Sequence, residues 1–352
     1  MLVVNLMFSK GLGGIEQSFL DYTIALKSRN HQVISITSPN AAVNNSLKAQ
    51  NLEFKTFRNL GHWDFFAKYK IRSYLNSIKP DIILTHGNRA LSLVKNLRNT
   101  YAIIYVAHNY NIKTIPANIA VFAITPHLCQ FIKDNGYQGK SIYPLPNAIH
   151  LGDMPKINPA HIRRIFDDKS PATICAMGRF VENKGLRYLI EAVSLLNKEG
   201  YPVKLIIGGD GKEKQLLTEL ITIHKIEHIT LFTGWVSNKS EFFKHCDIFV
   251  IPSIHEPFGI IVLESFKYGL PTIVTDTDGP CSIVTNNKDA LMVPKMDAHS
   301  IAEALKDLIN HPDKRVTLAK EAQKTVKNYS IENFAKKMED YLMQILSSKH
   351  LL

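Results

Sequence analysis

Apolar residues in the first half of this chain follow two alternating patterns. Short runs rich in Val, Ile and Leu, such as residues 2–8 (LVVNLMF) and 31–37 (HQVISIT), are typical of strands buried on both faces. Between them, residues 15–29 (IEQSFLDYTIALKSR) repeat apolar positions at helical spacing. Asn30 follows, and Asn tolerates the left-handed conformation in which many helices end. These segments predict a β-α-β unit.

The same alternation continues and then restarts after a loop rich in proline and asparagine. The later apolar runs are PDIILTHG, YAIIYVAHN and IAVFAITP before this loop, and ATICAMG, VKLIIGG, ITLFTG and DIFVIPS after it. We therefore predict an α/β protein with two Rossmann-like domains, 1–150 and 151–330, that face each other across a cleft. Ligands of such sheets bind beyond the carboxyl ends of the strands. We expect a final helix within 331–352 to pack back across the hinge.

Composition narrows the class of protein. With 45% apolar and 21% charged residues, the chain is typical of a globular protein and not of a disordered one. No run approaches the ~18 apolar residues of a membrane span, and the first residues favour a strand over a signal peptide. The four cysteines are far apart and suggest neither a disulfide framework nor a zinc site. A cytoplasmic protein is the expectation.

Positive charge is concentrated in the first half. Up to His150 there are 16 Lys and Arg against 6 Asp and Glu, whereas the remainder has 26 against 25. A basic domain can meet nucleic acid, an anionic membrane surface or an acidic acceptor, and an ordinary lysine-rich surface is an equally open interpretation. Residues 63–79 place aromatic side chains beside Lys68, Lys70 and Arg72. These cations could meet anionic lipid, which would attach the protein peripherally to a membrane. We expect no nucleic-acid partner, since no zinc or RNA-binding motif is recognisable.

A glycine loop follows the first predicted strand. Gly13 and Gly14 open a helix, where backbone N–H groups can approach an anion, although a purely structural tight turn fits as well. A dinucleotide-binding site would need a carboxylate about 20 positions further on. The segment VISITSPN has none, which argues against a nicotinamide cofactor.

Two cations stand at the corresponding place in the second half. Arg179 and Lys184 lie in the loop GRFVENKG between a predicted strand and a helix. Arg can bind a diphosphate bidentately and Lys acts as a point charge, so the pair suits a phosphate ligand. The alternative is a solvated surface pair.

The segment IPSIHEPFGIIVLESFKYGLPTIVTD is the most informative part of the chain. A predicted strand ends at Ile251, Glu256 lies in the loop, and 258–260 lead into a helix that carries Glu264. The helix start offers N–H donors to a phosphate, and the two carboxylates suit sugar hydroxyl groups. Glu264 can also merely complement the helix dipole.

These motifs, read in order, resemble a known family. The elements GGIE, PNAI, GRFVENKGL, GGDGK, LFTGWV, HEPFGIIVLE and DALMVP occur as in the retaining GT-B glycosyltransferases of family four. The resemblance covers essentially the whole chain. It implies a GT-B fold, with the first domain on the acceptor side and the second on the donor side.

The resemblance also implies roles for individual residues. The expected donor-binding residues are Gly14, Asn147, Arg179, Lys184, Val236, Phe258, Gly259, Ile260 and Glu264. The two cations would hold the diphosphate, Glu264 the ribose, and the backbone of Val236 the base. Glu256 and His108 would act beside the transferred sugar. Without the resemblance, His108 would be interpreted as a strand-end histidine with satisfied hydrogen bonds.

The implied substrates are a nucleotide sugar, with UDP as the favoured nucleotide, and a glycan or lipid-linked acceptor in surface polysaccharide or lipopolysaccharide synthesis. Because Arg179 and Lys184 already offer two cations to the phosphates, we expect neither a metal ion nor another cofactor. Where the family commonly has a glutamate, this chain has Ser282, which puts the role of that carboxylate in doubt. A nucleotide-sugar epimerase and a catalytically silent nucleotide-sugar-binding subunit are the alternatives.

Overall fold

The computed structural model describes residues 1–9, 11, 13–61, 64–113, 115–139, 141–159, 162 and 171–349. The chain divides into two compact units. One comprises Met1–His150 together with Tyr329–Leu352, and the other comprises Leu151–Asn328. The chain therefore leaves the first unit after His150 and re-enters it at Tyr329.

The first unit is built on a seven-stranded parallel sheet with the strand order β3-β2-β1-β4-β5-β6-β7. Its strands are β1 (Leu2–Met7), β2 (Gln32–Thr37), β3 (Phe54–Thr56), β4 (Ile82–His86), β5 (Ala102–Ala107), β6 (Ala120–Ala123) and β7 (Ile142–Pro144). Its first helices are α1 (Gly14–Ser28), α2 (Val43–Ala49), α3 (Phe65–Ile78), α4 (Gly87–Val94) and α5 (Pro126–Asp134).

Burial explains why the inner strands form a parallel sheet. Every residue of β4, β5 and β6 is buried, as is required of strands covered by helices on both faces. Asn30 follows α1 with φ +61°, which confirms the predicted left-handed turn. The edge strands β3 and β7 span three residues each and escaped sequence prediction, since periodicity needs longer runs.

The second unit is built on a six-stranded parallel sheet with the strand order β10-β9-β8-β11-β12-β13. Its strands are β8 (Ala172–Met177), β9 (Val203–Gly208), β10 (Thr230–Gly234), β11 (Ile248–Ile251), β12 (Thr272–Thr275) and β13 (Leu291–Val293). Its helices are α6 (Leu186–Lys198), α7 (Lys214–Ile223), α8 (Lys239–Lys244), α9 (Ile260–Lys267), α10 (Asp278–Ile283), α11 (Ala298–Asn310) and α12 (Pro312–Lys327).

The last helix, α13 (Ile331–Lys349), belongs to the first unit and packs on α1. Phe334, Met338 and Leu342 share one buried cluster with Tyr22 and Leu26 of α1. The returning chain is fixed by backbone pairing, because the Ile149 N–H donates to the Tyr329 carbonyl over 2.9 Å. The first unit therefore takes its core from both ends of the sequence. In the part of the chain that the structure describes, no helix combines the length and apolarity that a bilayer crossing demands.

A fully buried arginine joins α11 to α12 in the second unit. Arg315 has no exposed surface, and its guanidinium donates to the carbonyl oxygens of Leu308, Ile309 and Ile162. The first two belong to the last turn of α11, whose carbonyl groups lack partners within the helix. Arg315 thus caps α11 from the following helix and offers it a positive charge at the end where the helix dipole favours one.

We expect Arg315→Met to destabilise the second unit by about 2–4 kcal/mol, since buried carbonyl groups would lose charge-assisted hydrogen bonds. The matched control is Lys314→Met, which removes a partly exposed ion pair to Asp307 (2.6 Å) and should cost less than about 1 kcal/mol. Urea unfolding midpoints of both variants measure the difference. Equal midpoints would show that the buried Arg315 cap stabilises the second unit no more than the partly exposed Lys314–Asp307 ion pair does.

Candidate active site

Two loops of the second unit meet at the carboxyl ends of the neighbouring strands β8 and β11. The first loop passes through a short 3-10 turn, Glu182–Lys184, and reaches Gly185 at φ +60°. A Cβ atom at Gly185 would lie 2.0 Å from the Pro252 carbonyl oxygen, so the two backbones can approach only if this residue is glycine. The N–H groups of Ile254 and His255 donate to the Asn183 carbonyl and lock the loops together.

This contact places Lys184 beside Glu256. The ammonium nitrogen of Lys184 lies 2.5 Å from Oε2 of Glu256, and both side chains are largely buried. Lys184 carries three N–H donors, so the ion pair leaves donors for a second anion. The structure thereby joins the predicted phosphate-binding cation to the predicted sugar-contacting carboxylate. Arg179 is exposed at the start of the same loop and has no ion pair with any described residue.

The predicted phosphate-binding turn forms the start of α9. Gly259 caps the helix with φ +91°, Ile260 is its first residue, and Phe258 is buried beneath the turn. Behind it, a Cβ atom at Gly279 would lie 2.4 Å from the Phe258 backbone. The Gly279 N–H donates to the Glu256 carbonyl over 2.9 Å, which fixes the loop that carries this glutamate. The first N–H groups of α9 lack partners within the helix, as at any helix start.

The position at which this chain departs from the family lies next to this turn. Ser282, where the family commonly has a glutamate, is half-buried in α10. Its hydroxyl group donates to the Gly279 carbonyl over 2.6 Å. Ser282 thus contacts the backbone of Gly279, the glycine that packs against Phe258.

Glu264 also has a lysine partner, which sequence reasoning missed. Its Oε1 lies 2.5 Å from the ammonium nitrogen of Lys239, the first residue of α8. Lys239 follows Val236, the residue predicted to meet the base, and Val236 is half-buried over the end of β9 beside Gly208. An exposed lysine at a helix start has no distinctive sequence signal, so only the folded structure could reveal this pair.

In the first unit, Gly14 begins helix α1 and Asn147 forms a hydrogen bond to the same helix. Gly14 is the exposed first residue of α1, and Gly13 precedes it in extended conformation. Asn147 is buried, and its Oδ1 accepts a hydrogen bond from the Ser18 hydroxyl over 3.0 Å. The hinge-side asparagine and the glycine loop are therefore connected through the first turns of α1.

His108 forms a pair with a second histidine that the sequence analysis did not single out. His86 Nδ1 lies 2.9 Å from His108 Nε2, and the two rings stack with centroids 5.1 Å apart. Burial lowers the pKa of His108 to about 4. It also holds the pKa of His86 well below its ordinary value, with the neighbouring His108 adding to the effect. Both rings are neutral at pH 7.

Within the described ranges, no group of three or more His, Cys, Asp or Glu side chains could hold a metal ion. Independence of metal ions stays a prediction. The second unit offers groups of the kind that bind anions: an arginine without an ion pair among the described residues, a lysine with spare donors and a helix start. Glu256 pairs with this lysine, and Glu264 lies in the helix that begins there.

Comparison with known protein families and sequences finds similarity to glycosyltransferases. Residues 158–325 match the family described as Glycosyl transferases group 1. The lipopolysaccharide core biosynthesis glycosyltransferase LpsE of Rhizobium meliloti is 27% identical over 99% of this chain and 100% of its own length. LpsD of the same organism, with the same description, is 27% identical over 90% of each chain.

Solved structures show the same fold at low sequence identity. A glycosyltransferase from Rickettsia africae superposes with a TM-score of 0.83 and 18% identity over 98% of each chain. HepE of Anabaena, solved with UDP and glucose, gives a TM-score of 0.81 and 18% identity over 98% of this chain and 100% of its own. The predicted GT-B fold and the family resemblance are confirmed. The epimerase alternative receives no support.

The histidine pair makes stability depend on pH. Below pH about 6.5 an unfolded histidine binds a proton, whereas the buried pair does not, so the free energy of unfolding falls as pH drops from about 6.5 to about 4. For His108 the lowered pKa corresponds to roughly 3 kcal/mol at the low end. We expect His108→Leu to flatten this dependence, measured as urea midpoints at pH 7 and pH 5. The exposed control His228→Leu should leave the slope unchanged.

Proposed function

Because this protein is a glycosyltransferase with a Glycosyl transferases group 1 domain at residues 158–325, we propose that it takes its sugar from a UDP-sugar donor. The acceptor is a glycan or a lipid-linked glycan of lipopolysaccharide core synthesis, and transfer retains the anomeric configuration. The full-length similarity to LpsE supports the acceptor class, and the UDP bound to HepE supports the nucleotide.

One observation supports the proposed donor site: two facing loops of the second unit join Lys184 to Glu256 in the loop that leads into the start of α9. Arg179 and the spare donors of Lys184 bind the diphosphate, with the N–H groups of Gly259 and Ile260. Glu264 accepts hydrogen bonds from the ribose hydroxyl groups, and the Val236 backbone meets the base. Gly14, at the start of α1, and Asn147 stay predicted donor-binding residues of the first unit.

Catalysis then consists mainly of stabilising the leaving group. The bond from the anomeric carbon to the diphosphate breaks, and a bond to the acceptor oxygen forms on the same face of the sugar. The acceptor proton passes to a diphosphate oxygen. Arg179 and Lys184 stabilise the charge that develops on the diphosphate, which is electrostatic catalysis. Glu256 stands where positive charge grows on the sugar ring, and this role needs no metal ion.

The test of this function is transfer from UDP-glucose, UDP-galactose and UDP-N-acetylglucosamine to deacylated lipopolysaccharide core lacking its outer sugars. We expect UDP release that depends on this acceptor and persists in excess EDTA, because cations and helix amides replace a metal ion. The anomeric proton coupling of the product reports retention. Loss of activity with chelator and rescue by magnesium or manganese would overturn the metal-free mechanism, and donor conversion without acceptor would indicate an epimerase.

The two glutamates should respond differently to substitution. A contact made equally in the ground and transition states affects KM, whereas a contact made only in the transition state affects kcat. We expect Glu264→Gln to raise the donor KM and weaken UDP binding. Glu256→Gln should lower kcat and leave UDP affinity nearly intact. Steady-state kinetics with calorimetric UDP titration measure both.

The matched control for the two glutamates is Glu191→Gln on α6, where an exposed i,i+4 pair with Arg187 is lost and kinetics should not change. If Glu256→Gln lost UDP affinity and kept its kcat, the reacting carbon would lie elsewhere.

We further propose that α3 attaches the protein to an anionic membrane surface. Ala67, Ile71 and Leu75 face the core, whereas Phe65, Phe66 and Tyr69 are at least 72% exposed. Leu60, just before the helix, is 97% exposed. Trp63, part of the same predicted stretch, lies outside the described residues. Lys68 stands over the Phe65 ring, and Lys70, Arg72 and Lys79 add positive charge. Aromatic side chains beside cations fit the headgroup region of anionic lipid.

Vesicle sedimentation tests this attachment. Binding should require an anionic phospholipid and weaken with salt, since each cation near such a surface contributes ~1 kcal/mol. Phe65→Ser with Phe66→Ser should weaken binding by at least about tenfold, because two exposed apolar rings no longer insert. The matched control is Ile223→Ser, which removes an apolar side chain 71% exposed in the second unit. Equal binding to neutral vesicles would contradict the electrostatic part.

A further inference from the structure

The strand register explains why His86 and His108 meet. His86 is the last residue of β4 and pairs with Val106 of the adjacent strand β5. His108 stands two positions after Val106, and side chains two apart along a strand point to the same face. The two imidazoles therefore lie on one face of the sheet, at its carboxyl end, where ligands of such sheets bind.

His86 is enclosed by aromatic side chains. It is 4% exposed, and the rings of Phe19 and Tyr22 meet its ring nearly perpendicularly, with centroids 5.3 and 4.9 Å away. Its Nε2 is buried and has no hydrogen-bond partner among the described residues. The hydrogen bond between His86 Nδ1 and His108 Nε2 is thus the one polar contact that the described surroundings give to the His86 ring.

This arrangement decides which nitrogen of each neutral ring carries the proton. If His108 Nε2 donated to His86 Nδ1, the His86 proton would sit on Nε2, a buried N–H group with no acceptor. Buried N–H groups without an acceptor are rare and costly in folded proteins. If His86 Nδ1–H donates instead, the unpartnered nitrogen is His86 Nε2 without a proton. A buried acceptor without a donor is less costly than a buried N–H group without an acceptor. His108 Nε2 then accepts, and the His108 proton lies on Nδ1.

We propose that His86 is a positioning residue that holds His108 in the tautomer protonated on Nδ1, so that His108 presents a hydrogen-bond donor to the transferred sugar and has no basic nitrogen left to offer. This inference rests on the proposed function for the role of His108 beside the sugar. Within the described chain, His108 Nδ1 forms no hydrogen bond and is the ring nitrogen left for a substrate. Removal of the acceptor proton then falls to the departing diphosphate.

The first test measures the tautomer directly in the wild-type protein without substrate. Long-range proton–nitrogen NMR correlations of histidine-labelled protein show which ring nitrogen bears the proton, and His108→Ala assigns the signal among the 14 histidines. We expect the proton on Nδ1 of His108 and on Nδ1 of His86. A proton on Nε2 of His108 would overturn the inference whether or not the protein transfers sugar.

The second test uses substitutions at His86. His86→Leu removes the donor, and we expect a mixture of His108 tautomers and a fall in kcat of about tenfold, with the donor KM less affected. His86→Asn returns an amide N–H to the place of Nδ1 and should restore the tautomer and most of kcat. The matched control Tyr22→Phe alters the same aromatic cluster and keeps the histidine hydrogen bond, so both readouts should stay at wild-type values.

The outcomes separate the two hypotheses. An unchanged tautomer and kcat in His86→Leu would overturn the positioning role. If His86→Leu unfolds, the tautomer measured in the wild-type protein and the tautomer and kcat of His86→Asn still test the positioning role. If the wild-type protein transfers no sugar from any UDP-sugar yet shows the Nδ1 tautomer, the proposed function fails and the assignment of the histidine pair stands.

Discussion

In the second unit, two loops at the carboxyl ends of neighbouring strands can touch only because residue 185 carries no side chain. The Pro252 carbonyl occupies the space where a Cβ atom would stand. From this contact follow the hydrogen bonds to the Asn183 carbonyl and the Lys184–Glu256 ion pair. A side chain at residue 185 would separate the loops, and the cation and carboxylate on them would no longer meet. The glycine is thus a condition for the proposed donor site.

Both glutamates of this site are neutralised by lysines in the structure. Glu256 pairs with Lys184 and Glu264 pairs with Lys239, each at 2.5 Å. A carboxylate without such a partner would repel an incoming diphosphate, since like charges a few ångströms apart interact strongly where water is partly excluded. In the proposed donor site, the lysines would allow carboxylates and phosphates to lie close together. Arg179, with no described carboxylate partner, would contribute the positive charge that is not already neutralised.

Sequence patterns predicted the main strands and helices because long buried runs and helical periodicity are local properties. The left-handed conformation of Asn30 could also be predicted, because it depends on the residue type and on its position after a helix. The motif residues Lys184, Glu256 and Glu264 were recognised through their order in the chain. Their partners were not: Lys239 and His86 lie 25 and 22 residues from the side chains they bind. Such pairs depend on strand register and loop packing, which a single sequence does not display.

The return of α13 to the first unit has a consequence for how the protein is made. Tyr22 and Leu26 emerge from the ribosome early, but their buried cluster also needs Phe334, Met338 and Leu342. The first unit therefore waits, with apolar surface uncovered, until nearly the whole chain has been synthesised. The second unit, Leu151–Asn328, is continuous in sequence and can fold in the meantime. We therefore expect the second unit to complete its core before the first unit does.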